Sequence, residues 1–148
     1  MESSPPAFGD DELMAPLGGT PLWVERPDGT RLATVSLVPP GGATRATVVL
    51  AHGFAIDRHE WNVVAPELVA RGHRVVAFDQ RGHGESNCGN DGIGTRQMVG
   101  DYLAILAAHD VRGGVIVGHS MGGFVLINAL VDHAAEMGRH LRGAMLLA

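Results

Sequence analysis

Short apolar segments recur along this chain and are the first sign of its fold. Residues 46–51, 73–79, 114–117 and 141–148 are rich in Val, Leu, Ile, Ala and Met, with few polar positions inside each run. Nearly continuous apolar runs of this length are typical of strands that are buried on both faces of a parallel sheet. The pattern therefore predicts four strands of a sheet that is covered on both sides.

Segments with helical spacing lie between these predicted strands. Residues 61–70 and 124–130 read as helices, with Gly72 placed to end the first and Pro66 acceptable only in its first turn. A third helix is indicated by one apolar face, made of Met98, Tyr102, Ile105 and Leu106. Strands that alternate with helices predict the α/β class, a parallel sheet flanked by helices.

The N-terminal part has a different pattern. Residues 22–25 and 32–38 flank a Pro27-Asp28-Gly29-Thr30 turn, which predicts an antiparallel hairpin leading into the parallel sheet. Residues 1–20 are rich in Pro, Gly, Ser and acidic residues, so we interpret them as a flexible arm. The predicted folded domain is 21–148.

Composition excludes several classes of function. The 148 residues carry a formal net charge of −5 without a basic patch, which argues against a nucleic-acid partner. Cys88 is the only cysteine, so an internal disulfide is ruled out and a metal site is not expected. No apolar run approaches the roughly 20 residues of a membrane span. The first residues lack the basic start and apolar stretch of a secretory signal, so a cytoplasmic location is expected.

The stretch Gly118-His119-Ser120-Met121-Gly122 lies between a predicted strand and a predicted helix. A serine between glycines at such a junction indicates a nucleophile elbow, a sharp turn that exposes the hydroxyl in a strained backbone conformation. Cβ atoms at Gly118 and Gly122 would clash there. With 21 Gly and 5 Ser, chance alone gives about 0.1 such matches per chain, so the strand-helix context carries the prediction. The alternative is an ordinary serine at a helix N-cap.

The tripeptide His52-Gly53-Phe54 directly follows the strand at 46–51. Acyl transfer needs fixed donors for a tetrahedral oxyanion, and backbone N–H groups serve this purpose. We expect these donors to be the amides of Met121, after the nucleophile, and of Phe54. Gly53 would let the backbone approach the substrate, and His52 is expected to be a structural histidine that orients this loop.

The segment Asp79-Gln80-Arg81-Gly82-His83-Gly84-Glu85-Ser86 ends the next strand. Its glycines indicate a tight loop beside the site. Asp79 and Arg81 could form an ion pair, and the usual outcome of such pairing is structural. His83 is a possible general base, but a loop position without a catalytic role is favoured.

Taken together and in this order, the three motifs resemble the α/β-hydrolase superfamily, and in particular its serine esterase and lipase-like branch. The resemblance covers about residues 20 to 148. It implies that Ser120 is the nucleophile, that Phe54 and Met121 form the oxyanion hole, and that no cofactor is needed. The implied substrate is a small ester, thioester or lactone, cleaved through an acyl-enzyme. Relatives of the dehalogenase and epoxide hydrolase kinds usually carry Asp as nucleophile, so Ser120 argues against both.

The triad order of this fold is Ser, then Asp or Glu, then His. After Ser120 the chain offers only Asp132, His133, Glu136 and His140, all on or just beyond the nucleophile helix and pointing away from Ser120. His119 is adjacent to the serine and is expected to pack beside the elbow. The acid and base are therefore expected to be missing, as in the N-terminal half of a longer hydrolase, and we expect negligible esterase activity.

Two alternatives remain open at this point. An acyltransferase would use the same acyl-enzyme with a different acceptor. A non-catalytic binding module, or a half-domain that depends on a partner, would use the exposed sheet edge at 144–148, through which self-association is also possible. The identity of the substrate is open in each case.

Overall fold

A computed structural model describes residues 9, 11 and 15–148 of the chain. Its sheet contains six strands: β1 (Thr20–Glu25), β2 (Arg31–Leu37), β3 (Thr47–Ala51), β4 (Arg74–Phe78), β5 (Gly114–His119) and β6 (Leu141–Leu147). The helices are α1 (Val64–Ala70), α2 (Thr95–Ala108), α3 (Met121–Asp132) and α4 (Ala134–His140), and a 3₁₀ turn spans Arg58–Trp61. No helix in the described ranges is long and apolar enough to cross a membrane.

The strands are arranged in the order β1-β2-β4-β3-β5-β6. β1 pairs with β2, and β2 with β4, in antiparallel orientation, whereas β3 pairs in parallel with both β4 and β5, and β5 with β6. The predicted fold class, an antiparallel hairpin that leads into a parallel sheet flanked by helices, is therefore confirmed.

The register of the three central strands places their carboxyl ends side by side. Ala51, the last residue of β3, is opposite Phe78 in β4 and opposite Gly118 in β5. Each strand is directly followed by a residue of one motif: His52 after β3, Asp79 after β4 and Ser120 after β5. The three motifs singled out in the sequence thus meet at the carboxyl ends of the parallel strands, where open α/β sheets bind their ligands.

The sheet is covered on both faces, which explains the continuous apolar runs. On one face α2, α3 and α4 enclose a core that includes Phe78, Tyr102 and Leu126. On the other face α1 and the 3₁₀ turn cover a smaller core around Leu50, Trp61 and Ala65. Each face buries apolar surface that would otherwise contact water. This burial stabilises the folded state by about 25 cal/mol per Å² of apolar surface.

Two helical segments differ from the sequence prediction. Of the helix predicted over 61–70, only Val64–Ala70 is α-helical, and Trp61 instead ends the preceding 3₁₀ turn. Pro66 lies in the first turn of α1, where a missing N–H group costs no helical hydrogen bond. Helix α4 was not predicted. It has only seven residues and buries a single side chain, Met137, so its sequence carries no apolar period.

The predicted flexible arm, residues 1–20, lies largely outside the described residues, and the division into an arm and a domain stays a prediction. In its described part, Leu17 is buried against the smaller core. At the other end, β6 is the edge strand, and its apolar side chains Met145, Leu146 and Leu147 are exposed.

Candidate active site

Ser120 occupies the sharp turn between β5 and α3. Its backbone has φ +48° and ψ −112°, outside the regions that a residue with a side chain prefers. A conformation of this kind costs about 1–3 kcal/mol and is kept where the surroundings enforce it. The residue is exposed, and its hydroxyl neither caps α3 nor makes another hydrogen bond within the described part of the chain. The side-chain oxygen of an ordinary N-cap serine would accept a backbone N–H of the first helical turn, which the oxygen of Ser120 does not do.

Close backbone approaches hold this turn in place. A Cβ atom on Gly122 would lie 2.6 Å from the carbonyl oxygen of Ala51 and 2.7 Å from that of His52. A Cβ atom on Gly118 would lie 2.7 Å from the carbonyl oxygen of Gly122. Both glycines are therefore sterically required, as the sequence predicted.

The amide groups of the elbow have different partners. The N–H of Ser120 donates to the carbonyl oxygen of Leu147 in β6, at 2.8 Å. Met121 is the first residue of α3, where a helix N–H has no acceptor in a preceding turn and carries part of the positive end of the helix dipole. Of these two neighbouring amides, that of Ser120 is therefore occupied by β6, whereas that of Met121 lies at the positive end of the helix.

His52 is fully buried and sets the direction of the loop after β3. Its Nε2 accepts the N–H of Gln80 at 2.9 Å, so the ring proton is on Nδ1, which donates to the carbonyl oxygen of Gly53 at 2.7 Å. Burial lowers the pKa of His52, which favours this neutral form. Because a trans peptide points its C=O and the following N–H in opposite directions, this hydrogen bond also aims the N–H of Phe54.

The remaining loop groups are arranged around Gly53. Its N–H donates to Oε2 of Glu60 at 3.1 Å. A Cβ atom on Gly53 would lie 3.0 Å from Nδ1 of His119, so the loop and the elbow touch at this point. The Phe54 side chain is 73% exposed, and its ring edge faces His83 at 5.8 Å between centroids. Glu60 is a residue of this site that the sequence does not reveal, because nothing in its spacing relates it to either motif.

Asp79 and Arg81 do not pair with each other, so the interpretation of these two residues as an ion pair is wrong. Asp79 turns toward the 3₁₀ turn, where it accepts the N–H of Arg58 at 2.8 Å and contacts the guanidinium of the same residue. Arg81 turns the other way, toward α2, and binds Asp101 at 2.6 and 2.8 Å. Each charge finds several donors or acceptors on a neighbouring element, which outweighs a single pairing along the chain.

His83 makes loop contacts. Its Nδ1 lies 3.0 Å from the carbonyl oxygen of Arg81, and its ring centroid is 5.3 Å from that of His52. Neither nitrogen has a recorded contact with Ser120.

The two histidines after the elbow are tied to other parts of the fold. Nδ1 of His140 lies 2.9 Å from the carbonyl oxygen of Val111. Both residues lie at the amino ends of β5 and β6, whereas Ser120 follows the carboxyl end of β5. His133 follows the last residue of α3, a 12-residue helix. At 1.5 Å per residue this separates it from the elbow by roughly 18 Å. Neither is placed to take a proton from Ser120.

An apolar groove opens next to Ser120. Its volume is about 630 Å³, and it is lined by Ser120, Met121, Phe124, Ile127, Leu146 and Leu147. Such a wall can hold an apolar group of a substrate beside the hydroxyl. Within the described ranges, no three His, Cys, Asp or Glu side chains are grouped to hold a metal ion.

The fold is shared with known proteins. Residues 46–148 match the family described as alpha/beta hydrolase fold. A non-heme chloroperoxidase from Burkholderia pyrrocinia is 31% identical over 101 residues, which cover 68% of this chain and 36% of that protein. Epoxide hydrolase B from Mycobacterium tuberculosis is 35% identical over 96 residues, which cover 64% of this chain and 27% of that protein. The chain thus spans about a third of the length of these relatives.

Among solved structures, an esterase from Exiguobacterium antarcticum superposes with a TM-score of 0.75. The match covers 87% of this chain and 44% of the esterase, at 22% sequence identity. At that identity the likeness concerns the fold.

Proposed function

This chain belongs to the α/β-hydrolase fold family, and on that premise we propose that it is part of a serine hydrolase that cleaves carboxylic esters or related acyl compounds through Ser120. One observation carries the proposal. Ser120 is held at φ +48°, exposed, with a hydroxyl that serves no structural purpose in the described chain. Strain of this kind is kept at sites where it contributes to function.

The proposed reaction follows from the groups around the elbow. The Ser120 hydroxyl attacks the acyl carbonyl, and the resulting oxyanion accepts hydrogen bonds from the amides of Phe54 and Met121. The intermediate then collapses, the alcohol or thiol leaves, and water releases the acid from the acyl-enzyme. The apolar groove beside Ser120 favours substrates with an apolar acyl or alcohol group.

We propose that no histidine of this chain acts as the proton acceptor for Ser120. His133 and His140 are held elsewhere, and His52 uses both ring nitrogens to orient its loop. Removing a triad partner costs several powers of ten in rate, and only the oxyanion hole and binding still contribute. We therefore expect slow or negligible ester hydrolysis by this chain alone.

The names of the relatives suggest two other reactions, those of a chloroperoxidase and of an epoxide hydrolase. The serine at the elbow favours acyl chemistry, because attack on a carbonyl gives an ester that water can hydrolyse. In the resemblance described above, epoxide hydrolases usually have Asp at this position. An acyltransferase would share the acyl-enzyme, and a product assay with an added alcohol or amine separates the two.

A fluorophosphonate probe tests the proposal, because it forms a covalent bond with a nucleophilic serine. Because no histidine of this chain is placed to activate Ser120, labelling should be slow, and after prolonged exposure to the probe we expect mass spectrometry to show one adduct on the wild-type chain and none on Ser120→Ala. Ser36→Ala is the matched control, since Ser36 lies on β2, and it should be labelled like the wild type. Equal labelling of wild type and Ser120→Ala would contradict the proposal.

The exposed edge strand supports a second proposal, that copies of the chain associate through β6. Its unpaired backbone groups and its three exposed apolar side chains form a surface that other strands can extend. Size-exclusion chromatography of the wild type against Met145→Lys is the test, and a monomeric wild type would contradict self-association. The cytoplasmic location stays a prediction from the sequence.

A further inference from the structure

The carboxylate of Glu60 contacts both segments that carry the proposed oxyanion donors. Its Oε2 accepts the N–H of Gly53 at 3.1 Å, and its Oε1 lies against Nδ1 of His119. His119 directly precedes Ser120, and Gly53 directly precedes Phe54. The His119 nitrogen makes no well-aligned hydrogen bond, so this contact is an ion pair when the imidazole is protonated. One side chain therefore joins the loop after β3 to the elbow.

The turn that carries Glu60 is itself fixed. The backbone N–H of Arg58 donates to the buried Asp79 at 2.8 Å, and the Arg58 guanidinium pairs with the same carboxylate. Asp57 caps the turn by accepting the N–H of His59 at 2.8 Å, and Trp61 at its end is buried. The Glu60 side chain is only 19% exposed. A carboxylate on such a turn can hold its partners in place.

Glu60 is one of two residues whose hydrogen bonds fix the peptide groups of Gly53. The N–H of Gly53 is occupied by Glu60, and its carbonyl oxygen is occupied by His52. These two bonds fix the peptide planes on both sides of Gly53, and the second plane contains the N–H of Phe54. The glycine has no side chain that could hold this position by packing, so the hydrogen bonds must do so.

We propose that Glu60 is a positioning residue, which holds the Phe54 amide in register with the elbow by binding Gly53 and His119 together. This inference rests on the proposed function of Ser120. Glu60 does not touch the reacting atoms, and it acts only through the loop and His119. Since a preorganised donor stabilises charge that develops in the transition state, losing Glu60 should slow the chemical step and leave ground-state binding of substrate nearly unchanged.

The first test measures the coupling without relying on reactivity. Amide hydrogen exchange, followed by NMR, should show faster exchange at Gly53 in Glu60→Ala, by about tenfold or more, with altered resonances at Ser120 and Met121. Glu60→Gln keeps an acceptor for Gly53 and should restore most of its protection. Glu67→Gln, which changes an exposed carboxylate on α1, is the matched control. It should change neither the exchange rate of the Gly53 amide nor the resonances of the elbow. Unchanged Gly53 exchange and unchanged elbow resonances in Glu60→Ala would overturn the proposal.

The second test measures the effect on chemistry. Fluorophosphonate labelling of Glu60→Ala should show a maximal rate constant about tenfold lower, with the half-saturating probe concentration and the final labelled fraction unchanged. This is smaller than the loss of a whole oxyanion donor, which costs roughly 10²–10³. A side chain that only supported folding would lower the labelled fraction instead. If wild-type Ser120 reacts and Glu60→Ala reacts equally fast, the proposal is overturned. If wild-type Ser120 does not react, the proposed function fails, and the exchange measurement still decides the coupling.

Discussion

The hydroxyl of Tyr102 lies 3.2 Å from the carbonyl oxygen of Gly122, and so joins helix α2 to the first turn of helix α3. The single proton of this hydroxyl is shared between the Gly122 carbonyl oxygen and Oε1 of Gln80, which lies nearer at 2.9 Å. Nε2 of Gln80 in turn donates to the carbonyl oxygen of His52. All three motifs predicted from the sequence are therefore connected by one buried set of hydrogen bonds. Burial and the nearby Asp101 raise the pKa of Tyr102, so the hydroxyl keeps the proton it donates.

Tyr102→Phe should lower the free energy of unfolding by about 1–3 kcal/mol, because a buried amide oxygen of Gln80 loses its donor. The phenyl ring would keep its edge contact with Phe78, at 5.3 Å between centroids, so the loss reports the hydroxyl. Urea unfolding measures the difference. A value within about 0.5 kcal/mol of the wild type would contradict the importance of this bond.

Gly122→Ala should destabilise the fold by about 1–3 kcal/mol or more, since the new methyl group would meet two backbone carbonyl oxygens that cannot easily move. Thermal unfolding is the measurement. Gly138→Ala is the control, because Gly138 lies within α4 with no neighbour inside 4 Å of an added Cβ. Alanine is favoured over glycine in a helix by about 1 kcal/mol, so this variant should be as stable as the wild type or more so. Equal effects of the two substitutions would contradict the steric argument.

His109 should make the protein less stable in acid. Thr34 donates its hydroxyl proton to the carbonyl oxygen of Leu22, so Nε2 of His109, at 2.7 Å, donates to Thr34. The other ring nitrogen faces the guanidinium of Arg74 at 3.4 Å. Burial, with a smaller contribution from Arg74, lowers the pKa of His109 to about 4.

The unfolded chain has an ordinary histidine pKa of about 6.5, so it takes up a proton at a higher pH than the folded protein does. The contribution of His109 is complete above about pH 6.5 and is lost as the pH falls toward 4. His109→Gln should therefore show a shallower decline in unfolding free energy over this range. His52 gives a slope of the same sign in both proteins, so the difference between the two curves isolates His109. Parallel curves would contradict the prediction.

Asp101→Ala should lower the free energy of unfolding by about 3–5 kcal/mol, because it leaves the buried guanidinium of Arg81 without its main partner. The Arg81 side chain is 2% exposed, and its pKa is raised by hydrogen bonds to Asp101, so it stays charged. Chemical denaturation measures the loss. Arg112→Ala breaks an ion pair with Asp110 whose side chains are 82% and 75% exposed, and it should cost less than about 1 kcal/mol. A similar cost for both variants would be inconsistent with a buried pair.

Features set by local pattern could be predicted from the sequence. The continuous apolar run that forms β3 predicted a strand covered on both faces, and the glycines around Ser120 predicted its close approach to neighbouring backbone. Features set by partners that are distant in the sequence could not be predicted from it. Asp79 and Arg81 are two residues apart, yet each binds a residue on a different element. The placement of Glu60 against His119 depends on how the 3₁₀ turn folds over the sheet, and no spacing in the sequence encodes it.

The backbone angle of Ser120 means that, under the proposed function, the residue that performs the chemistry also lowers the thermal resistance of the protein. A glycine would adopt φ +48° without the steric penalty of a side chain, so Ser120→Gly should melt at a higher temperature than the wild type while losing any reaction with an acyl group. A screen that selected only for heat tolerance would favour this replacement and abolish the chemistry.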